Sequence, residues 1–165
     1  MKVNLPKVLI GTSLVYFLLP YLLFFYYWFF NPLNIALVIL LIVLAWYYIF
    51  YLKFLQIPII NVKIKSLLIM AIIALFWTIF TGTGGLVAQT FDFRGQQAKM
   101  FDLYNSQWPL IYDYNNLEII YYFGYYLTPA FLMKILGQYS SVIFVANTFM
   151  GLYLSLLWIY LLVNK

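Results

Sequence analysis

Apolar residues fall in five long runs, and one polar segment separates the third run from the fourth. A helix rises about 1.5 Å per residue, so about 20 apolar residues cross a hydrocarbon core of about 30 Å. Residues 8–30 reach that length without a charge, and Asn31-Pro32 breaks the run. Further runs cover 33–52, 66–81, 117–136 and 142–163, the third stopping at Gly82-Thr83-Gly84-Gly85. In lipid the backbone must satisfy its own hydrogen bonds, so such runs predict helices, with Pro20 and Pro129 as kinks. The first run is longer and bulkier than a signal-peptide core and reads as a retained helix. The predicted fold is an all-α integral membrane protein of about five transmembrane helices, forming a single polytopic domain over 1–165.

The polar segment, 82–116, is the predicted outer loop. Within it, 90–104 reads as an amphipathic juxtamembrane helix. At about 100° per residue, Asp92, Gln96, Lys99 and Leu103 share one arc, edged by Gly95 and Asp102. Phe93, Met100, Phe101 and Tyr104 occupy the other side, and Arg94 and Gln97 interrupt the partition. Thr90 is placed to cap the start, with Asp92 in the first turn, where the helix dipole favours a carboxylate. Such a helix lies at the membrane interface, aromatics down and the Asp-Gln-Lys arc up.

Composition strengthens this picture and narrows the chemistry. Of 165 residues, 67% are apolar and 8% charged, with mean hydropathy +0.96. Soluble domains are about a quarter charged, and disordered chains combine low hydrophobicity with high net charge, so both classes are excluded. The absence of Cys and His removes disulfides, thiol nucleophiles, the usual zinc and haem ligands and the Ser-His-Asp triad. Catalysis is left to Asp, Glu, Lys, Arg, Tyr or a hard cation. The 23% aromatic content fits interfacial belts, since Tyr26, Tyr27, Trp28, Trp46, Tyr47, Tyr48, Tyr121, Tyr122, Tyr125 and Tyr126 lie near span ends.

Orientation follows from Lys and Arg in the short loops. An inner N-terminus puts Lys2, Lys7, Lys53, Lys63, Lys65 and Lys134 inside and Arg94, Lys99 and Lys165 outside. Six against three favours N-in, C-out, with loop 82–116 on the outer side. Five spans ending outside suggest part of a longer or split polytopic protein.

All four acidic residues fall between Asp92 and Glu118. Asp92 is the candidate general base or metal-ligating carboxylate, and an oxygen-only site suits Mg²⁺ or Mn²⁺. Lys99, two turns on, is placed to hold a phosphate, with Arg94 and Gln96 beside it. Asp102 and then Asp113 rank next among the carboxylates. The plainer alternative is a solvated face of an interfacial helix. Gly82 to Gly85 lacks the Lys-Ser/Thr of a phosphate-binding loop and reads as a helix terminator. Lys134 reads as snorkelling to the headgroups, and Glu118 as first-turn ornament of the fourth helix.

The run Gly84-Gly85-Leu86-Val87-Ala88-Gln89-Thr90-Phe91-Asp92-Phe93 resembles a pattern in bacterial membrane proteins of the C-type glycosyltransferase (GT-C) superfamily. There a Gly-Gly…Gln-x-x-Asp run opens the first large extracytoplasmic loop. Phe101-Asp102-Leu103, Trp108-Pro109-Leu110-Ile111-Tyr112, Tyr121-Tyr122, Tyr125-Tyr126, Pro129-Ala130 and Lys134-Ile135-Leu136-Gly137 continue the similarity. It covers roughly 81–137, about a third of the chain.

The resemblance implies transfer of a sugar from a polyprenyl-phosphate carrier at the outer face of the bacterial cytoplasmic membrane. Asp92 matches the family's loop Asp, which acts as base or metal ligand. Family members are much longer, so the expectation is an N-terminal module completed by further helices or another subunit. Its partners would be a lipid-linked sugar donor and membrane lipid, with no nucleic acid. Two other functions compete. One is a non-catalytic subunit that docks a partner through the loop helix. The other is a transporter or flippase component, which the scarcity of ionisable residues inside the spans disfavours.

Overall fold

The structure, a computed structural model, describes residues 5–54, 62–89, 91–114, 117–119 and 123–163. Six α-helices form among these residues: α1 (Leu5–Trp28), α2 (Leu33–Phe54), α3 (Ile64–Phe80), α4 (Phe91–Asn105), α5 (Gly124–Leu136) and α6 (Ser141–Val163). A short hairpin joins β1 (Tyr112–Tyr114) to β2 (Leu117–Ile119). Thr90, Tyr121, Tyr122, Lys2 and Lys165 lie outside the described residues, as do the side chains of Lys53 and Glu118.

Helices α1, α2 and α6 are long and apolar enough to cross a membrane, and α3 is a shorter apolar helix. The protein is therefore helical and membrane-embedded. None of the described residues of α2 is buried, and the helix packs along α1. In lipid, Ile39 or Trp46 exposed on α2 is solvated by acyl chains, so apolar exposure carries no penalty there. The Asn34 amide donates to the Tyr26 carbonyl at 3.2 Å and closes the α1–α2 turn.

Helix α6 runs antiparallel to both α1 and α3. Trp158 Nε1 donates to Ser13 Oγ at 2.9 Å, and the Tyr16 hydroxyl donates to the Asn147 carbonyl at 3.2 Å. Interhelical hydrogen bonds of this kind are worth about 0.6–2 kcal/mol each. On the α3 side, the Tyr153 hydroxyl lies 3.5 Å from the Leu67 carbonyl oxygen. Leu9, Met70, Leu154, Leu157 and Leu161 consequently form one buried cluster. The starts of α1 and α3 and the last turns of α6 thus share one end of the bundle. That corrects the expected ending opposite the start.

The reason lies in 117–136, which is not one crossing helix. Leu117–Ile119 pairs antiparallel with Tyr112–Tyr114, in the register Tyr112↔Ile119 and Asp113↔Glu118. Glu118 therefore stands in a strand rather than in a first helical turn. Helix α5 has only 13 residues, a rise of about 20 Å, well short of about 30 Å of hydrocarbon. It ends at Gly137, whose φ of +68° supplies the left-handed cap after Leu136. Helices α4 and α5 pack together where α1 ends and α6 begins, around Leu23, Met100, Leu103, Phe123, Leu127, Ala130, Met133 and Phe144.

Candidate functional site

The glycine turn seats the start of α4. Thr83–Gly85 forms a single 3₁₀ turn against the start of α6. A β-carbon on Gly84 would meet Val145 Cγ2 at 2.5 Å, and its φ is +77°, so only glycine fits both the space and the backbone. Gln89 Nε2 donates to the Gly82 carbonyl at 2.6 Å. A β-carbon on Gly85 would stand 2.9 Å from Gln97 Nε2, so α4 lies directly over the turn. The run reads structurally as helix terminator and spacer.

Asp92 falls in the first turn of α4, as the spacing predicts, and is exposed. Arg94 is exposed beside it, while Gln96 and Lys99 are half-buried toward the bundle. The Lys99 ammonium stands 5.4 Å from the Tyr126 ring centroid, within cation–π range.

The faces of α4 are not those the periodicity suggested. Met100, expected on the lipid side, and Leu103, expected on the polar arc, are both fully buried. Phe91 is 88% exposed and Phe101 54% exposed. The physical cause is a protein neighbour. Helix α4 packs on α5, so the buried stripe is the one aimed at α5, and Phe91 and Phe101 face outward while Phe93 and Tyr104 are half-buried.

The far end of α4 is tied down by side chains. Lys134 Nζ donates to the Tyr104 carbonyl at 2.8 Å and the Ser106 carbonyl at 2.6 Å, 5.5 Å from the Trp108 ring centroid. Trp108 Nε1 donates to the Leu103 carbonyl at 2.9 Å. Carbonyls at a helix C-terminus lack intrahelical donors, and a cation there is also favoured by the negative end of the helix dipole. Burial lowers the Lys134 ammonium below the usual lysine value. Snorkelling is therefore corrected to capping.

The three described carboxylates sit on two elements, Asp92 and Asp102 on α4 and Asp113 on β1. Asp102 accepts a hydrogen bond from the Tyr112 hydroxyl at 2.8 Å. Burial, then that hydrogen bond, then the Asp102 charge push the Tyr112 phenol up to about 12. Asp92 and Asp102 are ten residues apart on one helix, a rise of about 15 Å. Asp113 is exposed on β1. No group of three or more acidic residues is gathered among the described residues. Mg²⁺ is usually held by one or two carboxylates together with substrate phosphates, so an exposed Asp92 suits either a ligand completed by a donor phosphate or a general base.

A second feature lay outside the sequence reading. A cavity of about 490 Å³ opens between α1, α5 and α6, with Phe17, Pro20, Phe24 and Phe123 in its walls and Thr128 and Asn147 among its polar lining. Tyr125, on its rim, contacts Tyr126 at 5.1 Å between centroids, and its hydroxyl bonds Thr148 Oγ1. The signal in the sequence was Asn147, the one side-chain amide within the 142–163 run. No family model matches the chain, and no curated protein or solved structure matches it.

Proposed function

We propose that the protein is the N-terminal module of a membrane glycosyltransferase that uses a polyprenyl-phosphate sugar at the extracytoplasmic face. The observation that carries this reading is the exposed Asp92 in the first turn of α4, with Arg94 and Lys99 on the same helix. In the proposed step, the Asp92 carboxylate takes the acceptor hydroxyl proton as the acceptor oxygen attacks the anomeric carbon. The bond from that carbon to the phosphate oxygen breaks, and the prenyl phosphate leaves with the electron pair. Arg94 and Lys99 offset the charge on the departing phosphate. Membranes from producing cells, given a radiolabelled prenyl-phosphate sugar, should form product that membranes lacking the protein do not.

A second reading, a subunit docking a partner, is favoured by the outward exposure of Phe91 and Phe101. It predicts that Phe101→Ala disrupts assembly while Asp92→Asn is silent.

A further inference from the structure

The cavity between α1, α5 and α6 is lined mainly by rings with a few neutral polar groups. Toward α1 it presents Phe17, Pro20, Phe24 and the phenols Tyr16 and Tyr21, and toward α5 and α6 it presents Phe123, Tyr125, Thr128 and Asn147. None of its described lining residues is charged. The Tyr16 hydroxyl is engaged by the Asn147 backbone carbonyl and the Tyr125 hydroxyl by Thr148. The Asn147 side-chain amide makes no hydrogen bond among the described residues, and it is not sealed in protein.

An amide held at membrane depth without a partner is costly. A charged headgroup in a cavity without charges is costlier still. We propose that the cavity binds a neutral lipid with an uncharged hydroxyl head, of the diacylglycerol class, and that Asn147 hydrogen-bonds that head. The volume, within the usual range for ligand sites, holds the head and the first part of one chain. The rest of the lipid leaves sideways past Phe17 and Tyr21, which are 62% and 58% exposed. This site goes beyond the proposed sugar transfer and does not depend on Asp92.

The test uses the purified full chain in phosphatidylcholine nanodiscs with a diazirine-bearing dioleoylglycerol, mapping the crosslinked peptides. The label falls on α1, α5 and α6, and unlabelled dioleoylglycerol competes while phosphatidylglycerol does not. Asn147→Leu, of similar volume, reduces labelling about tenfold, the effect of losing one buried hydrogen bond, and Asp92→Asn leaves it unchanged. The competition profile of the unmodified chain stands even where Asn147→Leu fails to fold. Equal competition by phosphatidylglycerol, label spread over α2 and α3, absence of label, or a folded Asn147→Leu that labels normally would each overturn the proposal.

Discussion

Lys134 on α5 closes the last turn of α4 through the Tyr104 carbonyl, 2.8 Å from its ammonium nitrogen. That contact, with its companion at Ser106, fixes the far end of the helix that carries Asp92. A hydrogen bond to a charged group is worth about 1.5–3 kcal/mol. Lys134→Met therefore lowers the thermal midpoint in detergent by that equivalent, and Lys134→Arg restores part of it. An unchanged midpoint in Lys134→Met would show that the cap contributes nothing.

The Tyr112–Asp102 pair gives a pH dependence with a definite sign. The Tyr112 phenol is raised in the folded state from 10 to about 12. A raised pKa means the folded state holds the proton more tightly, so this stabilisation is complete below pH 10. It is lost as pH rises from 10 through about 12. Spectrophotometric titration of Tyr112→Phe should lack one phenol ionising at the upper end of that window. Coincident titration curves would contradict the assignment.

Two glycines respond oppositely to alanine. Gly84→Ala adds a β-carbon 2.5 Å from Val145 Cγ2 at a φ of +77°, and destabilises by at least about 2 kcal/mol. Gly95, inside α4, has nothing within 4 Å of the added carbon. Gly95→Ala stabilises by about 0.5–1 kcal/mol through its helix preference. Thermal midpoints measured side by side check both signs.

The shared end of α1, α3 and α6 is open to labelling, because the chain has no cysteine of its own. Lys63→Cys and Val163→Cys should behave alike toward an impermeant maleimide in intact cells, and Arg94→Cys should behave oppositely. With an inner N-terminus, only Arg94→Cys reacts. Val163→Cys reacting together with Arg94→Cys would contradict the antiparallel α6.

The long apolar helices were legible because hydropathy and length are sufficient for them. Runs 8–30, 33–52, 66–81 and 142–163 correspond to α1 (Leu5–Trp28), α2 (Leu33–Phe54), α3 (Ile64–Phe80) and α6 (Ser141–Val163). Hydropathy did not separate the Leu117–Ile119 strand from α5, since Leu and Ile suit a strand or a buried helix alike.

At the candidate site, periodicity placed Asp92 in a first turn but could not say which stripe of α4 meets protein. Met100 and Leu103 are buried because α5 lies beneath them, a tertiary fact absent from local spacing. The Lys134 cap was hidden similarly, since its acceptors lie about 30 residues earlier in the chain. Asn147 was visible as a polar interruption, but the cavity it lines requires three helices together.

The central claim is tested most directly by transfer from a radiolabelled prenyl-phosphate sugar in membranes carrying Asp92→Asn, Asp102→Asn or Asp113→Asn at matched expression. The account predicts that Asp92→Asn abolishes product, while Asp113→Asn, exposed on β1, leaves it intact. Asp102→Asn changes product only as far as weakening of the Tyr112 hydrogen bond loosens α4. Full product formation by Asp92→Asn would contradict the account and leave Asp92 a solvated charge on an interfacial helix.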